Sequence, residues 1–245
     1  VGFNGYDAAM STIRNIVILT GAGTSAESGL ATFRDPEGLW EGHRVEDICT
    51  PQALARDPEL VLEFYDARRR ALSSVEPNPA HRALALLDAA WPGELLIVTQ
   101  NVDDLHERAG AKRMIHIHGE LLSALCRACG MRSPFAGNMM DGPACTHCGA
   151  TGALRPDIVF FGEIPYAMEA IEAALLEADL FVSIGTSGAV YPAAGFVQLA
   201  KAAGAQTLEL NLDRTTGSAW FDETRTGAAG LLVPEWVQQL LGQDR

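Results

Sequence analysis

The chain contains no run of about 18 apolar residues, so no helical segment of it is expected to span a membrane. Cations are scarce: eighteen Lys and Arg stand against thirty-one Asp and Glu, a net charge of −13, with a pI near 4.8. A nucleic-acid-binding surface needs a basic footprint, so no nucleic-acid partner is expected. An acidic body does attract a basic peptide. Cysteine is also sparse, at five residues, four of them in two Cys-x-x-Cys pairs. That arrangement suggests a metal site in a reducing compartment rather than a disulfide scaffold, and a cytoplasmic location is the default expectation. Val1–Ser11 lacks both a basic segment and an apolar one, so no signal peptide is expected there.

What is present begins with apolar bulk. Nearly half of the 245 residues are apolar, enough for one large domain or one domain carrying an insertion. Ile16–Leu19 is a short branched apolar run, followed by the small-residue turn Gly21-Ala-Gly23-Thr-Ser25. A strand feeding a glycine turn is how a doubly wound sheet presents main-chain N–H groups to a phosphate. Gly21 and Gly23 are free to adopt φ > 0, and Ser25 or Ser28 could cap a helix. The third glycine, Gly29, comes six residues after Gly23, so spacing leaves a cofactor turn and a purely structural turn both open.

Further along, Asp57-Pro58 reads as a helix start, and the helix runs to Leu72 with Tyr65 and Arg68 on one face. By itself that face could be an ordinary solvated one. Leu95–Thr99 is a second buried strand, ending in the polar cluster Gln100-Asn-Val-Asp103. Alternation places His116 and His118 on one strand face and does not choose between them. Cys126-x-x-Cys129 and Cys145-x-x-Cys148 are separated by fifteen residues, the spacing of a structural zinc ribbon; four thiolates fill the tetrahedron and leave no open position. Cys49 falls outside this set and reads as a small buried hydrophobe. Leu154–Glu163, Leu180–Ile184 and Gln206–Leu210 return to strand character. Helices are expected over Met168–Ala178, Phe196–Ala203 and Pro234–Leu241.

Read whole, Gly21-Ala-Gly-Thr-Ser-Ala-Glu-Ser-Gly-Leu-Ala-Thr-Phe-Arg34 resembles the first signature of the sirtuins, the NAD-dependent protein deacylases. Thr99-Gln-Asn-Val-Asp-Asp-Leu-His106, His118-Gly119-Glu120, the cysteine pairs and Gly185-Thr-Ser187 with Val190-Tyr-Pro-Ala-Ala194 match later motifs in family order. The resemblance implies a Rossmann-like, mostly parallel doubly wound α/β sheet over residues 12–41, 76–118 and 154–245. It also implies a helical insertion at 42–75 and a zinc-binding module at 119–153.

The resemblance assigns the cofactor pocket to Gly21, Ala22, Gly23, Ser25, Ala26, Thr32, Phe33, Arg34, Trp40, Gln100, Asn101, Val102, Asp103, Gly185, Thr186, Ser187, Asn211, Leu212, Asp213 and Ala229. His118 becomes the base, with Asn101 and Asp103 holding NAD for reaction. Cys126, Cys129, Cys145 and Cys148 hold one structural Zn2+. Acylated-lysine peptides are the partners, contacted by Val159, Phe160, Phe161, Gly162 and Glu163. Tyr65 and Arg68 match the Tyr-x-x-Arg pair of the branch that removes succinyl, malonyl or glutaryl groups, a bacterial type included; arginine offers a planar fork to a carboxylate. Asp157 and Phe160 depart from that branch toward the deacetylases, and Ala31 replaces the usual proline. The implied reaction is transfer of an acyl group from lysine to ADP-ribose with release of nicotinamide. Transfer of ADP-ribose to protein and a non-catalytic nucleotide- and zinc-binding module are the alternatives.

Overall fold

A computed structural model describes residues 13–30, 39–40 and 42–242. The expected contacts of Thr32, Phe33 and Arg34 lie outside these residues. Strand β1 (Ile16–Thr20) is buried at every position, as a branched run covered on both faces must be. It passes through Gly21 into the short helix α1 (Ala22–Ala26). The hairpin β2 (Leu39–Trp40) and β3 (His43–Arg44) precedes helices α2 (Val45–Ile48), α3 (Pro51–Arg56) and α4 (Pro58–Ala71). Thr50 and Asp57 cap α3 and α4 by accepting from Ala53 N and Leu60 N, with a proline in each first turn. Helix α5 (Pro79–Ala90) starts at a reciprocal cap between Asn78 and His81. There follow β4 (Leu95–Thr99), α6 (Leu105–Ala109), β5 (Met114–His116), β6 (Gly119–Cys126), β7 (Arg132–Pro134) and β8 (Leu154–Ile158). The chain continues with α7 (Met168–Leu176), β9 (Leu180–Ile184), α8 (Phe196–Ala202), β10 (Gln206–Asn211), β11 (Glu223–Thr226) and α9 (Ala229–Gly242).

Six strands form a parallel sheet in the order β11-β10-β9-β1-β4-β5. The chain builds outward from β1 through β4 and β5, then returns to build the other way from β9. Between β1 and β9 the direction of winding reverses, and such a point opens a crevice at the carboxyl ends of the strands. Alternate residues of β1 serve two cores. Ile16 and Ile18 pack with Leu84 of α5 and Trp236 of α9, whereas Val17 and Leu19 pack with Ile171 of α7 and Phe196 of α8. The Rossmann-like sheet is therefore the observed architecture.

A second, three-stranded antiparallel sheet runs β7-β6-β8. A third core joins it to α2–α4 through Ile48, Val61, Phe64, Tyr65, Leu121 and Phe160. Three details differ from the sequence reading. Strand β8, expected in the large sheet, pairs with β6 from Cys126–Leu154 to Gly119–Ile158, so a boundary at residue 153 cuts through the small sheet. Its buried run suits either sheet, and pairing is not encoded in periodicity. Strand β5 stops at His116, which leaves His118 in the turn beyond it. Helix α9 begins at Ala229 and carries Pro234 inside it, its start held by Glu27 Oε1 accepting from Gly230 N at 2.8 Å.

Candidate active site

A cavity of about 560 Å3 follows the crevice at the switch point. At its centre the turns after β1 and β9 meet main chain to main chain. Gly21 N donates to Ile184 O at 3.0 Å and Gly23 N to Gly185 O at 2.9 Å. A Cβ on Gly23 would stand 2.8 Å from Gly185 Cα, and one on Gly185 would stand 2.5 Å from Thr24 N. This corrects the sequence expectation. Gly21 has φ −132° and neither it nor Gly23 has positive φ, whereas Gly185 does, at +61°. The glycines are required by the close approach of two turns, and the N–H groups of Gly21 and Gly23 are spent on the carbonyls of Ile184 and Gly185 rather than left for a phosphate.

The cavity wall carries most of the expected cofactor residues: Gly21, Ala22, Gly23, Ser25, Ala26 and Trp40; Gln100–Asp103; Gly185–Ser187; Asn211, Leu212, Asp213 and Ala229. Ser25 lies inside α1 and makes no cap. Its hydroxyl donates to Asp103 Oδ2 at 3.0 Å and accepts from Asn101 Nδ2 at 3.0 Å. His81 Nε2 lies 3.3 Å from the same oxygen, while His81 Nδ1 accepts from Asn78 N. The Nδ1 acceptor role puts the ring proton on Nε2, so Ser25 Oγ is saturated. Burial pushes the His81 imidazole down to about 4 and keeps it neutral. It also lifts the Asp103 carboxyl above its ordinary value, opposed by the N–H of Leu105 and the Ser25 hydroxyl. His81 thus both caps α5 and anchors this cluster.

His118 lines the cavity and His116 does not. His118 Nδ1 is 3.2 Å from the carbonyl of Gln100, which leaves Nε2 as the proton acceptor. Burial holds the imidazole below its ordinary value, with the Gln100 carbonyl opposing. A neutral, oriented imidazole beside open space is what a general base requires. His116 is instead bound to Asn101 O at 2.9 Å and Glu107 Oε1 at 2.6 Å. Burial acts against its charge, but the Glu107 carboxylate prevails and holds its pKa above the ordinary value.

At the far end, Val159, Phe160, Phe161, Gly162, Glu163 and Arg68 line the cavity together with Cys49. Arg68 stacks on Trp40, its guanidinium carbon 4.5 Å from the ring centroid. Tyr65 is not on the cavity wall. It is fully buried, edge-on to Trp40 and Phe64 and stacked on Phe160, with its hydroxyl against the Cys49 thiol. Helical spacing places it on the face of Arg68 but one layer deeper. Burial lifts the Tyr65 phenol well above its ordinary value and the adjacent Cys49 thiol to about 11. The Glu163 carboxylate turns inward: Arg155 Nη1 and Nη2 donate to it at 2.8 and 2.7 Å, and Phe160 N at 2.8 Å. It shapes the Phe160 turn and has little left to offer a peptide.

The four cysteines of the two pairs converge, their sulfurs all within 4.8 Å of one another. Cys126 Sγ and Cys148 Sγ are 3.7 Å apart, Cys129 Sγ and Cys145 Sγ 3.8 Å. Bonds of about 2.3 Å to a tetrahedral zinc give sulfur separations of about 3.8 Å. Sequence reasoning missed Glu27, Leu30, Val190, Tyr191, Arg214, Thr215 and Ala228, which also line the cavity. Glu27, Leu30, Val190 and Tyr191 lie inside the quoted motifs, whereas Arg214, Thr215 and Ala228 lie one or two positions beyond assigned residues, where proximity to them was the signal. Among the described residues no helix is long and apolar enough to cross a membrane.

The Sir2 family profile matches residues 21–192. The NAD-dependent protein deacylase of Vibrio vulnificus is 52% identical over 230 residues, covering 93% of this chain and 94% of its own. The NAD-dependent protein deacylase SIR2rp3 of Leishmania major is 54% identical over 240 residues, covering 96% and 99%. Among solved structures, an ADP-ribose complex of a mutant Sir2 homologue superposes with a TM-score of 0.88 at 36% identity, covering 98% of this chain and 96% of that one. A Sir2 homologue–NAD complex gives 0.86 at 37%, covering 96% and 92%. The matched span takes in the glycine turn, the Gln100–Asp103 loop, His118 and all four clustered cysteines, and on this similarity the chain belongs to the Sir2 family.

Proposed function

We propose that the protein is an NAD-dependent protein-lysine deacylase whose substrates include acidic acyl groups. One observation carries the reading: a single cavity runs from the switch-point turns past His118 to the Arg68 guanidinium. The cavity suits a dinucleotide. Its walls at the turns are small residues in close main-chain contact, and polar groups from three strand ends converge on it. NAD, when bound, supplies the ribose that takes up the acyl group as nicotinamide leaves.

The chain's own residues do the rest. Asn101 and Asp103, both buried and tied to Ser25, are preorganised to orient the nicotinamide ribose. His118 Nε2 accepts a proton from a ribose hydroxyl, its Nδ1 held by the Gln100 carbonyl. Phe160, buried against Arg155 and Tyr65, excludes water from the lysine channel. Arg68 offers the acyl carboxylate its planar fork, and Tyr65 supports it from behind. The Cys126, Cys129, Cys145 and Cys148 thiolates suit one structural Zn2+. Acylated proteins of a reducing, cytoplasmic compartment are the partners, and an acidic surface favours basic peptides over nucleic acid.

The test combines purified protein, NAD and matched acetyl-lysine and succinyl-lysine peptides, with free nicotinamide and acyl-ADP-ribose followed by mass. Both peptides are expected to give product. Arg68→Met is expected to lower kcat/KM for the succinyl peptide more than for the acetyl peptide. Equal losses would overturn the acyl assignment, and no nicotinamide from either peptide would overturn the deacylase reading.

A further inference from the structure

Helix α4 carries two polar stripes a third of a turn apart. Tyr65 and Arg68 form one, and Asp66 and Arg69 form the next. The second stripe points away from the cavity, into the small cysteine-bearing unit. Asp66 Oδ1 is ion-paired with Arg69 Nη1, and both side chains are nearly inaccessible. Asp66 Oδ2 accepts from Met139 N at 2.8 Å and Met140 N at 3.1 Å, closing the start of a 3-10 turn at Met139–Asp141. Arg69 donates from Nε to Leu121 O at 2.7 Å and from Nη1 to Gly137 O at 3.2 Å. Its guanidinium also lies 5.1 Å from the Phe135 ring centroid. Neither residue of this pair lines the cavity, yet both carboxylate oxygens of Asp66 are engaged.

A helix bound along two adjacent stripes cannot rotate without breaking one of them. We propose that Asp66 and Arg69 are positioning residues for acyl selectivity: they lock the rotation of α4 against the 135–141 segment and so fix where Arg68 stands in the cavity. The proposal rests on the reading of Arg68 as the carboxylate reader. Leu121, the strand residue that Arg69 grips, is also held from its other side, its N–H donating to Val102 O at 2.8 Å. Loosening Arg69 therefore acts on α4 more than on the Gln100–Asp103 loop. The effect falls on acidic acyl groups, which need Arg68, and far less on acetyl, which does not reach it.

The test measures kcat and KM for both peptides with Asp66→Asn, Arg69→Lys and Arg68→Met in the full, metal-loaded chain. Asp66→Asn keeps an acceptor for Met139 N and removes the charge; Arg69→Lys keeps the charge and loses the fork. We expect each to lower the succinyl-to-acetyl ratio of kcat/KM about tenfold, through KM for the succinyl peptide. Equal losses on both peptides, or an unchanged ratio, would overturn the proposal. If Arg68→Met leaves the ratio unchanged, the acyl reading itself fails and this proposal with it. If it collapses the ratio while the other two do not, the reading stands and only the positioning role falls. Should Asp66→Asn not fold, the double variant Asp66→Leu with Arg69→Met removes both charges at once, and its ratio decides in the same way.

Discussion

Gly185→Ala places the sharpest demand on the switch point. Gly185 sits at φ +61° and an added Cβ meets Thr24 N at 2.5 Å and Gly23 C at 2.7 Å. The left-handed conformation costs alanine about 1–2 kcal/mol. The clash is with main chain on both sides, so no side chain can swing away; the two turns must separate, at about 1–3 kcal/mol for an overpacked site. Together these come to about 2–5 kcal/mol, or a fall in Tm of about 10 °C for a chain of this length. Gly188→Ala is the matched control. Its φ is +64°, but its added Cβ comes no nearer than 3.4 Å to any atom, the nearest being Thr215 Oγ1, so it carries the conformational cost with little of the clash. The assay is thermal unfolding of both variants with and without saturating ADP-ribose. Gly185→Ala should melt well below Gly188→Ala and lose most of the ligand-induced rise in Tm, because the separated turns form the cavity's centre. Equal melting of the two variants would refute the claim that contact between the turns, rather than backbone conformation, makes glycine necessary at 185.

Other expectations follow from the buried histidines and the cysteines. His118→Ala should cost about 10²–10⁴ in turnover while zinc content stays unchanged, measured by nicotinamide release and metal analysis. The acid limb of kcat/KM should fall below the ordinary histidine value of about 6.5, because burial favours the neutral base; a limb above that value would remove His118 from the role. Stability should fall as pH drops from about 6.5 toward 4, since His81, pushed down to about 4, and His106, held well below its ordinary value by burial, refuse protons that the unfolded chain accepts. His81 alone contributes about 3 kcal/mol across that window. His116, shifted upward, has already made its contribution above it, so an unchanged urea midpoint between pH 7 and pH 5 would refute this account. Cys126→Ser should abolish binding of one zinc per chain and expose the β6–β7 pair to proteolysis, and a wild-type chain isolated without zinc affinity would refute the thiolate site.

The end of the cavity lined by the two turns was largely legible because it is built from main chain. Buried strands such as Ile16–Thr20 and Leu180–Ile184 are covered on both faces and therefore read as unbroken apolar runs. Small residues must follow them wherever two turns come into contact. Long-range partnership was not legible. Ser25 looks like a cap from its neighbours, but its partners lie 56, 76 and 78 residues away. Strand β11 is a polar edge strand of sequence Glu-Thr-Arg-Thr that local patterning cannot tell from a loop.

The Arg68 end of the cavity resists sequence reading for a different physical reason. It is assembled from side chains on separate segments, Trp40, Cys49, Arg68 and Phe160, whose depth is decided by packing. Periodicity correctly puts Tyr65 and Arg68 on one helical face, yet the fold leaves one on the wall and the other behind Phe160. The resemblance assigns Glu163 to the peptide, but Arg155, eight positions earlier, turns its carboxylate inward. On the proposed reading, the quantity that would select an acyl group is the rotation of α4 about its own axis. That rotation is shared between a stripe facing the cavity and a stripe facing the small sheet, so no one residue encodes it. A ratio of two substrates measured on one protein cancels losses common to both, and for that reason it reports helix rotation where a single rate cannot.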